Sequence, residues 1–228
     1  MIAARFDLRR LLRIALGLIA AAVALPFVLL AVWTVVPPVS TPMIARWVTG
    51  APVTRIWRPI AAIDPRLVAA VIASEDNPFC GHHGVDWGEL QEVIDDEGGP
   101  KRGASTITMQ LAKNLFLWPG RSFVRKAIEI PLALAIDLVW SKRRILEAYL
   151  NIAEWGPNGE FGIEAGARRA LGKGAERLDA AESALLAVML PNPHTRDARR
   201  PTTNLRRVAG IIRRRAADAP EFTACLGR

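Results

Sequence analysis

Cysteine is scarce, with only Cys80 and Cys225 in 228 residues. No C-x-x-C and no H-E-x-x-H occurs, so the spacings that close a zinc site are missing, and the adjacent pair His82 and His83 cannot easily turn both rings to one ion. The two cysteines lie far apart and one is near a terminus, so a disulfide in an oxidising compartment stays open. Cys80 has no base partner beyond the neighbouring histidines, which argues against a thiol nucleophile. Strand-like alternation is absent, as is any internal repeat, which leaves an all-α domain. The stretch "GARRALGKG" (166–174) faintly resembles a phosphate loop, but its spacing is wrong, no Ser or Thr follows Lys173, and no strand precedes it.

Charge is lacking altogether over "IALGLIAAAVALPFVLLAVWTVV", the 23 residues from Ile14 to Val36. At ~1.5 Å per residue such a helix crosses a hydrocarbon core of roughly 30 Å. Pro26 falls mid-segment, where a membrane span tolerates it as a kink. A cleaved signal peptide is the rival reading, since Arg5, Arg9, Arg10 and Arg13 form a basic leader, but its apolar region would run only ~7–15 residues. As an anchor, the run keeps those arginines cytoplasmic and sends everything after Val36 across. The expected organisation is a basic cytoplasmic tail (1–13), a transmembrane anchor (14–36), a linker and membrane-proximal segment around the stiff "PPVSTP" (37–63), and a domain (64–228) outside the cytoplasm.

Acidic residues are outnumbered 22 to 30, for a net charge of +8. Nucleic acid is the reflex partner of such a chain, but extracytoplasmic topology argues against it. Anionic lipid headgroups and phosphate-bearing lipid substrates suit the same charge.

Beyond the linker the pattern is helical. Asp64 followed by Pro65 reads as a helix start, an N-cap oxygen and then a residue whose fixed φ suits the first turn. Leu67, Val68, Val71 and Ile72 mark an apolar stripe that continues at i+4 spacing to Glu75. A carboxylate there, on the core-facing side of the last turn, loses hydration and its pKa rises. "ELQEVIDDEGGPKRG" (89–103) reads as a helix end and a mobile loop. A second helical block starts near "STITMQLAKNLF". The third, "SFVRKAIEIPLALAIDLVW", is expected to pack in the core with a bend at Pro131. Ser141 is a candidate cap for the next helix, and a basic helix closes the chain. Glu129 stands i+4 from Arg125 and i+3 from Lys126, which alone fits a surface ion pair worth only ~0.3–0.5 kcal/mol.

Blocks in a fixed order change that reading. "EDNPFCGHHG" fits E-D-x-x-F-x-x-H-x-G, "GASTITMQLAKNLFL" fits G-x-S-T-I-T-x-Q-x-x-K-N-L-F-L, "RKAIE" fits R-K-x-x-E, and "KRRILEAYLNIAEWG" fits K-x-x-I-L-E-x-Y-L-N-x-x-x-x-G, with "LLAVMLPNP" behind them. The set, spanning roughly Asp64 to Pro193, resembles the peptidoglycan glycosyltransferase family of penicillin-binding proteins and their stand-alone relatives. No S-x-x-K, S-D-N or K-T-G set occurs, so the likeness is to the monofunctional biosynthetic branch, without a transpeptidase half.

The resemblance implies a lysozyme-like fold that polymerises lipid II onto a growing glycan strand, and sensitivity to moenomycin. The strand is the donor, α-linked through pyrophosphate to a polyprenyl chain, and the 4-hydroxyl of lipid II attacks to give a β-1,4 bond with inversion. Glu75 maps onto the family's essential glutamate. A positioned carboxylate that deprotonates a sugar hydroxyl contributes on the order of 10²–10⁴-fold, and a leaving pyrophosphate needs cations in place. By resemblance Lys113, Arg121 and Lys126 contact the pyrophosphate and Glu129 is a second functional carboxylate, orienting those cations or helping to hold a divalent metal, Mg²⁺ being the usual ion. Arg125, Gln110, Ser105, Asp76 and Asn114 complete the expected substrate contacts. Asp76 and His82 also read as a loop brace, Ser105 and Thr106 as caps, His83 as merely solvated, and Glu147, Tyr149 and Asn151 as shaping cleft and core. Met109 stands where many relatives carry a glutamine. Other cell-wall synthesis proteins are possible partners. The competing readings are a lytic enzyme of related fold, which the cationic 113–126 stretch does not favour, and a membrane-tethered wall-binding scaffold.

Overall fold

The computed structural model describes residues 8–95, 105–120, 122–218 and 223–227. Ten α-helices account for nearly all regular structure among them, joined by one short parallel strand pair, β1 (Thr54–Arg55) with β2 (Glu160–Phe161). The first helix, α1 (Leu8–Val32), contains Pro26 and is long and apolar enough to cross a membrane. The apolar run continues to Val36, but the helix does not. Pro37 disfavours helical backbone in the residue before it, and Thr34 Oγ1 turns back to donate to Leu30 O (3.0 Å).

The stretch expected as a linker is folded onto the rest. Ser40, fully buried, caps α2 (Thr41–Val48), which packs on α5 (Ile107–Phe116). Arg46 reaches Glu154 Oε1 with Nε (3.2 Å) and Nη2 (2.9 Å), and the side chains of Glu147 and Asn151 hold the backbone at Ile60 and Arg58.

Asp64 caps α3 (Pro65–Glu75) as its sequence requires, accepting from Arg66 N at 2.9 Å. Every residue from Leu67 to Ala73 is buried, because α9 (Ala180–Met189) and α10 (Thr203–Arg215) pack against α3 and bury more than one stripe. Fully burying a Leu, Ile or Val stabilises by roughly 1.5–3 kcal/mol, so this helix is a rigid mount for the glutamate that ends it. Behind it come α4 (Trp87–Asp95), and the expected loop from 96 to 103 lies outside the described residues.

On the other side α5 packs between α6 (Phe123–Val139) and α7 (Lys142–Ile152), and α6 contacts α1. Ser141 caps α7 through Arg144 N (3.3 Å). The core placement expected for α6 holds for one face only. Only Glu129, Ala133 and Ile136 are buried, while Phe123 (97% exposed), Val124, Leu134 and Leu138 (81%) face outward beside α1. The helix continues through Pro131, whose exposed position lets solvent-side backbone absorb the lost hydrogen bond. Tryptophan and arginine join α1 to this group: Trp140 Nε1 donates to Leu30 O (3.0 Å) and Arg144 Nη2 to Trp33 O (2.5 Å).

The would-be phosphate loop is α8 (Ile163–Leu171), where Gly166 packs so closely on Trp155 that a Cβ would come within 2.4 Å of its Cβ. Glu164 in the same helix is fully buried. Burial pulls its pKa up, but Arg58, the Ala175 N–H and Arg168 outweigh this and hold it at about 2. Cys80 and Cys225, left open by the sequence, are joined in a disulfide with Cα atoms 5.5 Å apart.

Candidate functional site

Glu75 sits half-buried at the C-terminal end of α3, where the helix stops and the chain turns at Asp76. Ser74 Oγ donates to its Oε1 (3.0 Å) and Gln110 Nε2 to its Oε2 (3.2 Å). Burial raises the Glu75 pKa, against the opposing pull of Gln110, Ser74, Arg196 and Lys113. A carboxylate with few donors and restricted hydration is more basic than an exposed one.

The loop after Glu75 is braced, and the brace explains two expected residues. Asp76 is buried, with His82 Nε2 on Oδ1 (2.9 Å) and the Ile107 N–H on Oδ2 (2.8 Å). Both oxygens therefore meet protein donors, tying the loop to the start of α5. Thr106 is the α5 cap, accepting from Met109 N (3.1 Å) and donating to Gly84 O (2.6 Å). Gly84, at φ +77°, passes so close to α6 that a Cβ would meet Ala133 O at 2.6 Å, so no larger residue fits this crossing. His83 is exposed and its Nδ1 lies 3.2 Å from Asp137 Oδ2.

Helix α5 carries Gln110, Lys113 and Asn114 along the face next to Glu75. Gln110, Lys113 and Asn114 line one cavity of about 190 Å³, together with Tyr149, Glu154 and His194. Lys113 and Asn114 also line a second cavity of about 350 Å³ with Thr41, Pro42, Trp118 and Arg125. The first turns of α6 close the set. Lys126 Nζ donates to Ser105 Oγ (2.5 Å), and Ser105 O accepts from Gln110 Nε2 (3.4 Å), so the cationic group and Glu75 belong to one connected network. Met109 is fully buried, its Sδ 3.9 Å from Lys126 Nζ.

Glu129 is 2% exposed, which removes the surface-pair reading. Arg125 Nη1 donates to its Oε1 and Lys126 Nζ lies 3.4 Å from Oε2. One carboxylate thus faces two cations. Burial, then Arg125, lowers the Lys113 pKa, and burial, Arg125 and Lys113 bring Lys126 down to about 8. Cations buried and set together in this way have unmet demand for negative charge. Arg121 lies outside the described residues.

Among the described residues the protein offers Mg²⁺ no cage of converging carboxylates. Both Glu129 oxygens are taken by cationic side chains, and among the described residues no group of three or more His, Cys, Asp or Glu side chains converges. Thr41, Pro42, Glu154, His194 and Arg196 belong to the surroundings of the site without having been singled out from the sequence. Their signal is weak, because each reaches the site from a segment distant in the chain: Thr41 Oγ1 donates to Leu117 O (2.5 Å), and Glu154 is clasped by Arg46 and by His194 Nε2 (3.1 Å).

A model of the family described as Transglycosylase matches residues 42–216. Among similar proteins, one of Nitrobacter winogradskyi named biosynthetic peptidoglycan transglycosylase is 54% identical over 224 residues, covering 96% of this chain and 97% of its own. Proteins of the same name from Rhodopseudomonas palustris and Agrobacterium fabrum are 54% and 48% identical, each match covering 96% of this chain and 97% or more of the relative.

Proposed function

The chain belongs to the transglycosylase family and is a peptidoglycan glycosyltransferase, and from that premise we propose that it polymerises lipid II into β-1,4-linked glycan with Glu75 as general base. Glu75 takes the proton of the acceptor 4-hydroxyl as that oxygen attacks the donor anomeric carbon. The bond from that carbon to the diphosphate oxygen breaks, its electron pair leaving with the polyprenyl diphosphate. Attack opposite the leaving group inverts α to β. Lys113, Arg125 and Lys126, with Arg121 by resemblance, meet the charge that develops on the diphosphate. Glu129 keeps two of those cations aimed.

One observation carries this reading: a desolvated acid connected through Gln110 and Ser105 to a crowded cationic recess. Cleaving a neutral glycosidic bond needs no such recess. With α1 spanning the inner membrane and the domain on the periplasmic side, the outward apolar face of α6 lies beside the anchor, next to where a polyprenyl chain resides.

Glu75→Gln is expected to abolish polymer formation from lipid II on a gel while the unfolding midpoint stays at the wild-type value. Purified peptidoglycan should release no muropeptides with either protein. Polymerisation by the variant at the wild-type rate would remove Glu75 as base.

A further inference from the structure

A primary amide has two ends of nearly equal shape and opposite hydrogen-bonding sense, so Gln110 can in principle turn either its oxygen or its nitrogen toward Glu75. An oxygen there would repel the carboxylate. The nitrogen is selected by Ser105 O, which can only accept (3.4 Å), and is backed from the far side by Tyr149, whose hydroxyl donates to Gln110 Oε1 at 2.9 Å. Tyr149 is 1% exposed on α7, and its hydroxyl reaches Glu75 through Gln110. Burial, with the nearby charges of Glu75 and Asp76, raises the phenol pKa, so the hydroxyl keeps its proton and remains a donor. With that proton directed at the amide, the oxygen lies on the side of the ring hydroxyl. The other end then presents N–H to Glu75 Oε2 (3.2 Å), with Ser105 O (3.4 Å) as its second acceptor.

We propose that Tyr149 is a positioning residue for proton transfer: by fixing the sense of the Gln110 amide it holds an N–H on Glu75 and so sets both the rotamer and the basicity of that carboxylate. The inference rests on the reading of Glu75 as base. The groups around Glu75 come from each neighbouring element: Ser74 on its own helix, Gln110 and Lys113 on α5, Tyr149 on α7, and Arg196 from the segment between α9 and α10, with Asp76 adjoining. Glu154 and His194 line the cavity that Gln110 and Tyr149 share. Lys113 and Arg196 act on Glu75 through space and keep doing so if Tyr149 is changed. Gln110 is the group among them that hydrogen-bonds to Tyr149.

Tyr149→Phe keeps the ring and removes the donor. The amide then loses the partner that holds its oxygen away from Glu75, and in the turned sense that oxygen accepts from the protonated acid and repels the ionised one. The acid limb of kcat/KM should move to higher pH, and kcat at the wild-type optimum should fall roughly tenfold, the cost of one hydrogen bond to a charged group, with KM little changed. Gln110→Met should shift the same limb in the same direction, and the double variant should add little, because the two residues act as one unit.

The test is the full chain in detergent, with lipid II turnover followed across pH and the Glu75 carboxyl titrated directly by ¹³C NMR, its signal identified by its loss in Glu75→Gln. A higher titration midpoint in Tyr149→Phe, at an unchanged unfolding temperature, supports the proposal. An unmoved midpoint, or a loss of activity equal at every pH and tracking lowered stability, overturns it. Full activity in Glu75→Gln would instead defeat the base assignment, while the carboxyl titration would still report whether Tyr149 governs that group.

Discussion

Lys126 keeps its charge in a partly buried recess beside Arg125 and Lys113, with a pKa brought down to about 8. If that charge binds the donor diphosphate, activity is complete while the lysine is protonated and declines as pH rises through 8. Glu75, raised by burial, works in the opposite sense, losing basicity as pH falls. The profile of kcat/KM should therefore be bell-shaped, with an alkaline limb near pH 8 in the free enzyme. Bound diphosphate favours the charged ammonium, so the corresponding limb of kcat should lie higher. Lys126→Arg should retain activity within about tenfold at neutral pH and lose the alkaline limb, since a guanidinium stays protonated throughout. An unchanged limb in that variant would assign it to another group. At this scale the sequence was most informative about Glu75, whose i+4 spacing from Val71 put it on the buried side of α3. It was least informative about Tyr149 and Gln110, because their hydrogen bond requires α5 and α7 to meet, and nothing local in either helix records that meeting.

Helix α6 shows how apolarity alone leaves an environment undetermined. Its leucines and isoleucines satisfy a protein core and a lipid boundary equally well, and the difference lies in which neighbours arrive. Three residues are fully buried and Ile130, Leu132 and Ala135 pack partly against the core, while Phe123, Val124, Leu134 and Leu138 remain exposed. Replacing Phe123 and Leu138 together by Ser should leave unfolding in detergent within about 0.5 kcal/mol per site, as exposed positions do. Turnover of lipid II embedded in a bilayer should fall roughly tenfold relative to turnover in detergent, reflecting the apolar area no longer offered to lipid. Equal loss in both media would mean that the face serves folding and not the bilayer. By contrast α3, α5 and α7 could be read directly, because Asp64, Thr106 and Ser141 each sit one residue before an apolar-periodic run and cap it. The 37–63 stretch could not. Its prolines mark a stiff chain whether it hangs free or is pinned, and the pins, Arg46 on Glu154 and Asn151 on Arg58, are set by partners about a hundred residues away.

Across the whole molecule one covalent bond closes the longest loop, joining the segment just after Glu75 to the C-terminal turn over a separation of 145 residues. Chain-entropy arguments give such a bridge roughly 3–5 kcal/mol. The double replacement of Cys80 and Cys225 by Ser should lower the urea midpoint accordingly, and a reductant should lower the wild-type midpoint toward the same value. No change on reduction would show the bridge to be energetically idle. The membrane end of the chain is fastened by different means. Trp140 and Arg144 grip the last turn of α1 and the residues beyond it, so the anchor enters the catalytic body as a strut. With that strut upright in a bilayer, the altitude of Glu75 above the headgroups is a property of side-chain joinery, indifferent to tether length. If the proposed polymerisation runs at such a site, an enzyme held this way would not lean out after a lengthening product, and the polymer would slide past a fixed workstation.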